Sequence, residues 1–101
     1  MIGFAGTRRI WLASQPIDFR KGMDSLAALV AQVLGADPFG GDIFLFRAKR
    51  GDRLRLLVWD NTGLILATKR LEAGCFCWPP VRDGTIQLSA AQMAMLLDYP
   101  C

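Results

Sequence analysis

The most regular part of the hydrophobic pattern is a central segment in which three apolar stretches alternate with two polar turns. The stretches Ile43–Arg47, Arg53–Trp59 and Leu64–Leu71 are rich in the aliphatic and aromatic residues that strands favour. The turns Ala48–Asp52 and Asp60–Gly63 each contain a glycine, which can adopt the positive φ of tight turns. Because connections this short join only antiparallel neighbours, the pattern predicts a three-stranded antiparallel meander.

Two elements are predicted before the meander. A brief strand at Arg9–Ala13 is followed closely by a proline, which ends it. A helix at about Arg20–Leu34 comes next, since its apolar residues recur at spacings of three and four. Asp18 precedes this helix and is the predicted N-cap, because its charge suits the positive end of the helix dipole.

Two further elements are predicted after the meander. Thr85–Leu88 is a candidate short strand, and Ala90–Leu97 is a candidate helix. Ser89 and Gln92 have the spacing of a capping box at the start of that helix. The order β-α-β-β-β-β-α predicts one α+β domain over residues 1–101, with a core at about 9–97 and helices on one face of a small antiparallel sheet.

Positive charge is concentrated in the meander. The chain of 101 residues has a net charge of +3, yet the segment from Ile43 to Glu72 contains seven bases against three acids. Everything outside this segment is therefore close to neutral. A local basic surface is the footprint of a protein that binds a polyanion. The sequence predicts nucleic-acid contact by Arg47, Lys49, Arg50, Arg53, Arg55, Lys69 and Arg70.

A second basic patch and a competing interpretation accompany this prediction. Arg20 and Lys21, at the start of the first predicted helix, could contact phosphate together with free backbone N–H groups. In the competing interpretation the bases only solvate a sheet face, and the chain docks on another protein. An open sheet edge at Arg9–Ala13 or Thr85–Leu88 would then accept a strand from that protein.

Enzymatic and metal-dependent functions have little support in the composition. The chain has no histidine, which removes the usual general base near neutral pH, and it has no P-loop or nucleophile-elbow motif. Cys75, Cys77 and Cys101 cannot complete a four-ligand zinc site. We therefore predict no catalysis, no metal and no cofactor. An odd cysteine count without a disulfide framework, and no signal peptide, predict a cytoplasmic protein.

A series of short motifs runs through the chain from about Ile10 to Leu97. They are Asp18-Phe19-Arg20-Lys21-Gly22-Met23-Asp24, Asp37-Pro38 with Gly41, Phe44–Arg47, Lys49–Arg53, Trp59-Asp60 with Gly63, Lys69–Glu72, Gly74, Phe76, Trp78-Pro79 and the Ser89–Leu97 helix. In this order they resemble the TnpB-type accessory proteins from the second short reading frame of bacterial insertion sequences of the sixty-six family. Those proteins are distinct from the RNA-guided nucleases that share the name.

The resemblance implies a process more than a mechanism. It implies that the chain assists transposition of its element alongside a separate, much larger transposase. Together with the charge pattern, it predicts a non-enzymatic accessory protein that binds DNA at the element ends or in the transposition complex. The alternative is docking on the transposase of the same element without direct DNA contact. Self-association into a homo-oligomer is compatible with both.

Overall fold

The computed structural model describes residues 8–80 and 84–99 of the chain. Within them the elements follow the predicted order of five strands and two helices, and the α+β class is confirmed. The elements are β1 Ile10–Ala13, α1 Met23–Gln32, β2 Ile43–Arg47, β3 Arg53–Trp59, β4 Leu64–Arg70, β5 Thr85–Leu88 and α2 Ala90–Asp98. In the described ranges, no helix is long and apolar enough to cross a bilayer.

The five strands form one sheet in the order β4-β3-β2-β1-β5. The predicted meander is confirmed, because β2, β3 and β4 pair antiparallel in sequence. The sheet as a whole is mixed, since β1 runs parallel to β2 and α1 makes the crossover between them that a parallel pair requires. β1 also pairs antiparallel with β5, so it lies inside the sheet. The prediction of an open edge at Arg9–Ala13 is therefore wrong, and the two edges are β4 and β5.

Each face of the sheet has its own apolar cluster and its own helix. On the α1 side, Leu26 and Val30 pack with Phe44 and Leu57. On the α2 side, Leu96 of the second helix belongs to a cluster that also contains these strand and loop residues: Ile10, Leu12, Ile43, Leu45, Leu54, Leu56, Val58, Phe76 and Leu88. The expectation that both helices cover one face is wrong. Strands β2 and β3 carry apolar side chains on both faces, so each face must be covered.

The two helices begin in different ways. The capping box of α2 is confirmed: Gln92 N donates to Ser89 Oγ at 3.1 Å, and Ser89 N donates to Gln92 Oε1 at 2.7 Å. Helix α1 begins later than predicted, and its N-cap is Gly22, which has no side chain to cap it. Asp18 is therefore not the N-cap. Its carboxylate instead bonds the backbone and side chain of Arg20.

Candidate nucleic-acid interface

Strand alternation places three of the predicted bases on the α1 side of the sheet. In β3, Arg53 and Arg55 alternate with Leu54 and Leu56, which belong to the cluster on the α2 side. The two arginines therefore share a face of the sheet. Arg70 of β4 is the register partner of Arg53, so it lies on the same side of the sheet.

The loop between β1 and α1 reaches this arginine cluster. Arg53 and Arg55 both stack on the ring of Phe19, with guanidinium carbons 4.9 and 4.2 Å from the ring centroid. Arg55 Nη1 also donates a hydrogen bond to the carbonyl oxygen of Lys21. The approach is fixed by Ile17, whose backbone pairs with the end of β2. The second basic patch, Arg20 and Lys21, is thereby joined to the first.

The turn between β2 and β3 adds two exposed bases at the same end of the sheet. Lys49 and Arg50 are both exposed, and Gly51 takes the positive φ of 79° that the turn needs. Lys49 is close enough to Asp18 to contribute to the lowering of its pKa. We call the resulting surface the basic end of the sheet. It consists of Arg20, Lys21, Lys49, Arg50, Arg53, Arg55 and Arg70.

Two predicted site residues lie apart from the basic end. Arg47 and Lys69 are both register partners of Leu54, which places them on the α2 side. The guanidinium of Arg47 lies over the ring of Trp78, 5.6 Å from its centroid. Lys69 Nζ donates to the carbonyl oxygen of Leu97 at 2.5 Å, so it contacts α2. The structure therefore brings seven of the nine predicted bases together and turns these two toward internal contacts.

Carboxylates at the basic end are few, and two of them, Asp18 and Asp52, lie beside arginines. Asp18 Oδ2 accepts from Arg20 Nη2 at 2.9 Å, and its Oδ1 accepts from the backbone N–H of Arg20 at 2.9 Å. These hydrogen bonds, that of the side chain first, lower the pKa of Asp18 to about 2. The side chain of Arg20 nevertheless remains 91% exposed. Asp52 Oδ1 lies 3.9 Å from Arg53 Nε. With Glu72, which follows β4 at the same end of the sheet, seven bases thus face three acids.

The opposite end of the sheet has a different character. Arg8 is tied to the fold there, because its Nη1 donates to the carbonyl oxygens of Gly41 at 2.7 Å and Trp59 at 2.8 Å. Asp42 accepts a hydrogen bond from the indole of Trp11 at 3.1 Å. Asp60 lies in the turn after β3, where hydrogen bonds from Thr62 lower the pKa of its carboxyl. The excess positive charge is therefore confined to one end.

A segment after β4 holds the basic turn in place, and the sequence did not reveal this role. The carbonyl oxygen of Gly51 accepts from both the backbone N–H of Phe76 and the indole Nε1 of Trp78, each at 3.0 Å. Leu71 N donates to the carbonyl oxygen of Asp52 at 2.9 Å. Trp78 is half-buried, and its indole takes part in these contacts. The spacing of glycine and aromatic residues in this segment is the feature of the sequence from which this role could have been inferred.

The aromatic residues and cysteines fit structural roles. Phe44, Phe46 and Phe76 are buried in the core of the domain. Cys75 is an exposed free thiol, whereas Cys77 is disulfide-bonded, so the expectation of a chain without disulfides is wrong. In the part of the chain that the structure describes, no three His, Cys, Asp or Glu side chains are grouped as metal ligands.

Comparison with known proteins identifies the family. The family model described as "IS66 Orf2 like protein" matches residues 8–99, which include every strand and helix and all seven bases of the basic end. The chain belongs to this family. The IS66 Orf2-like resemblance noted from the motifs is thereby confirmed, and it associates the protein with an insertion sequence.

Two relatives of this IS66 Orf2-like protein come from Sinorhizobium fredii (strain NBRC 101917 / NGR234). The relative named "Uncharacterized protein y4jC" is 54% identical over 97 residues, which cover 96% of this chain and 83% of the relative. The relative named "Uncharacterized protein y4hO" is 42% identical over 89 residues, covering 88% and 77%. No solved structure matches the chain.

Proposed function

We propose that this IS66 Orf2-like protein is a non-enzymatic accessory protein of transposition that binds duplex DNA through its basic end. The observation that carries the proposal is the junction at Phe19. There the loop before α1 and the start of β3, distant in sequence, are stacked together into one surface with a large excess of positive charge. A sheet whose bases served only solubility would have no need to concentrate them at one end.

The basic end combines fixed and mobile cations. Arg53 and Arg55 are half-buried and stacked on Phe19, so their guanidinium groups are held in place before any ligand arrives. Lys49, Arg50 and Arg70 are exposed and can reach outward. Fixed guanidinium groups suit bidentate phosphate contact, while flexible side chains follow a sugar–phosphate backbone. Such a surface favours sequence-independent contact with the duplex backbone.

The direct test is a salt titration of binding to a labelled element-end duplex and to a random duplex of equal length. We expect both to bind. The logarithm of the affinity should fall linearly with the logarithm of the salt concentration, with a slope of about −4.5 to −6.3, as five to seven phosphate contacts require. Binding that is undetectable at low salt, or unchanged by added salt, would contradict the proposal.

A second candidate function is docking on the transposase of the same element. It is favoured by a groove between α1 and the loop that follows it, at whose rim Phe39 is 54% exposed. Exposed aromatic side chains beside small residues are typical of protein contact sites. The groove is lined by Asp24, Ala27, Ala28, Ala31, Ala36, Asp37, Pro38 and Phe39.

A pull-down with the transposase, performed before and after nuclease treatment, distinguishes the two candidate functions. If docking is direct, the complex survives the nuclease and is lost in Phe39→Ser. Met95→Ser is the matched control, because Met95 is a similarly exposed apolar residue on α2. Loss of the complex after nuclease treatment, or equal recovery of the complex with both substituted proteins, would count against docking at this groove.

A further inference from the structure

The outer edge of β4 presents a complete row of backbone groups. Two hydrogen bonds fix which residues face β3: Leu71 N to Asp52 O at 2.9 Å, and Asp60 N to Gly63 O at 3.0 Å. Gly63 and Leu71 directly flank β4, and the register between them is continuous. The backbone groups of the odd-numbered residues of β4 therefore point toward β3. Backbone direction alternates along an antiparallel strand. The N–H and C=O groups that point away from the sheet therefore belong to Leu64, Leu66, Thr68 and Arg70.

Apart from the charge of Arg70 near its end, this edge lacks the usual protection against strand pairing. It contains no proline or glycine and no bulge, and it is seven residues long, whereas the other edge strand, β5, has four. Among the described residues, no backbone hydrogen bond reaches its outer side. Lys69 could have guarded the edge, but its ammonium group bonds to Leu97 on α2 instead. A weakly protected edge of this length is a template for another strand.

We propose that a second copy of this chain pairs with this edge, β4 antiparallel to β4, about a two-fold axis at Ala67. This register joins all four outward-facing residues: Leu64 to the partner's Arg70, and Leu66 to the partner's Thr68, each pair twice. No like charges then face each other, because Lys69 lies opposite the partner's Ile65. A parallel arrangement would place Lys69 beside the partner's Lys69, which is unfavourable.

The dimer has a geometric consequence that does not depend on DNA binding. The two five-stranded sheets become one sheet of ten strands, with both α1 helices on the same side. The two copies of Arg70 are separated by six residues along the paired strands, or about 20 Å. The two basic ends therefore lie on one side of a single, two-fold symmetric particle. The inference goes beyond the proposed function and stands if that function fails.

The first test is sedimentation of the full chain and of two variants matched in position. Leu64→Lys places a lysine opposite the partner's Arg70, whereas Leu64→Glu places a carboxylate there; both lose the same leucine. We expect a wild-type dimer and a dimer dissociation constant about tenfold or more higher for Leu64→Lys than for Leu64→Glu, because like charges directly opposite oppose pairing. A monomer at all concentrations, or equal constants for the two variants, would overturn the proposal.

The second test locates the axis by cross-linking in a Cys75→Ser background. Ala67 and the partner's Ala67 form a non-hydrogen-bonded pair, whose Cα atoms lie about 4.5 Å apart, within reach of a disulfide. Under mild oxidation Ala67→Cys is expected to give a covalent dimer, and the exposed turn variant Thr62→Cys is not. A dimer that persists without this cross-link, or equal cross-linking of the two variants, would show that another surface is used.

Discussion

Replacing Lys49, Arg50 and Arg70 together with glutamine is expected to weaken duplex binding about 100-fold at low salt and to make the salt slope less steep by about three. All three side chains are exposed and make no described contact that holds the fold. Their loss should therefore remove phosphate contacts without changing stability. Fluorescence anisotropy of a labelled mixed-sequence duplex, between about 50 and 200 mM salt, measures both quantities.

Single substitutions provide the matched control for this result. Arg50→Gln removes one exposed guanidinium from the basic end, and Arg9→Gln removes one from the chain just before β1, at the opposite end of the sheet. If the basic end is the interface, Arg50→Gln should reduce the slope by about one unit and Arg9→Gln should leave it unchanged. Equal effects would show that only net charge matters, and that the surface at Phe19 is not the binding site.

Phe76→Ala is expected to lower the free energy of unfolding by about 3–5 kcal/mol, the range for a large aromatic side chain removed from a core. Phe76 is only 2% exposed, belongs to the cluster on the α2 side, and packs edge-on against Trp78 with ring centroids 5.4 Å apart. The substitution leaves a cavity beneath the segment that binds the carbonyl oxygen of Gly51. Urea denaturation monitored by tryptophan fluorescence gives the change.

Phe39→Ala serves as the control, since it removes the same side chain from a position that is 54% exposed. Phe39 touches Trp59 edge-on, at a centroid distance of 5.7 Å, so a loss of about 1 kcal/mol is expected. Similar losses for the two variants would mean that Phe76 is not part of the core. The segment around Trp78 would then not hold the basic turn as the hydrogen bonds indicate.

The meander could be predicted closely because everything that defines it is local. The bounds of β2 and β3 are those predicted, and β4 ends one residue early. The start of α1 was missed for an equally local reason. The carboxylate of Asp18 has a nearer partner in Arg20, and the chain reaches helical geometry only after Gly22. A side chain that bonds its own loop cannot also cap the helix.

The place of β1 in the sheet could not be read from its own residues. Parallel pairing with β2 and antiparallel pairing with β5 depend on where the α1 crossover returns the chain. One signal was available: the run Ile43–Phe46 is apolar without alternation, which is typical of a strand buried on both faces. That pattern argued for a helix on each side of the sheet.

The parts of the site that depend on side-chain alternation along a strand could be predicted from the sequence. The parts that depend on how loops pack against the sheet could not. A period of two places Arg53 and Arg55 on one face, and it places Arg47 and Lys69 on the other. Arg20 and Lys21 lie beside the bases of the meander because the loop between β1 and α1 packs against β3. Phe19, which joins the two patches, could be noticed only as an aromatic residue among charged neighbours.

The interior position of β1 shapes how the chain folds as it leaves the ribosome. β1 is translated before all its partners, and its Ile10 pairs with Leu88 of the last strand. At about 5–20 residues per second, β5 emerges several seconds after β1. During that interval β1 can pair with β2, but the edge of β1 that faces β5 in the finished sheet has no partner. Pairing of β1 with β5 is therefore a late step in folding, and mutations in β5 should affect the yield of folded protein more than the early steps of folding.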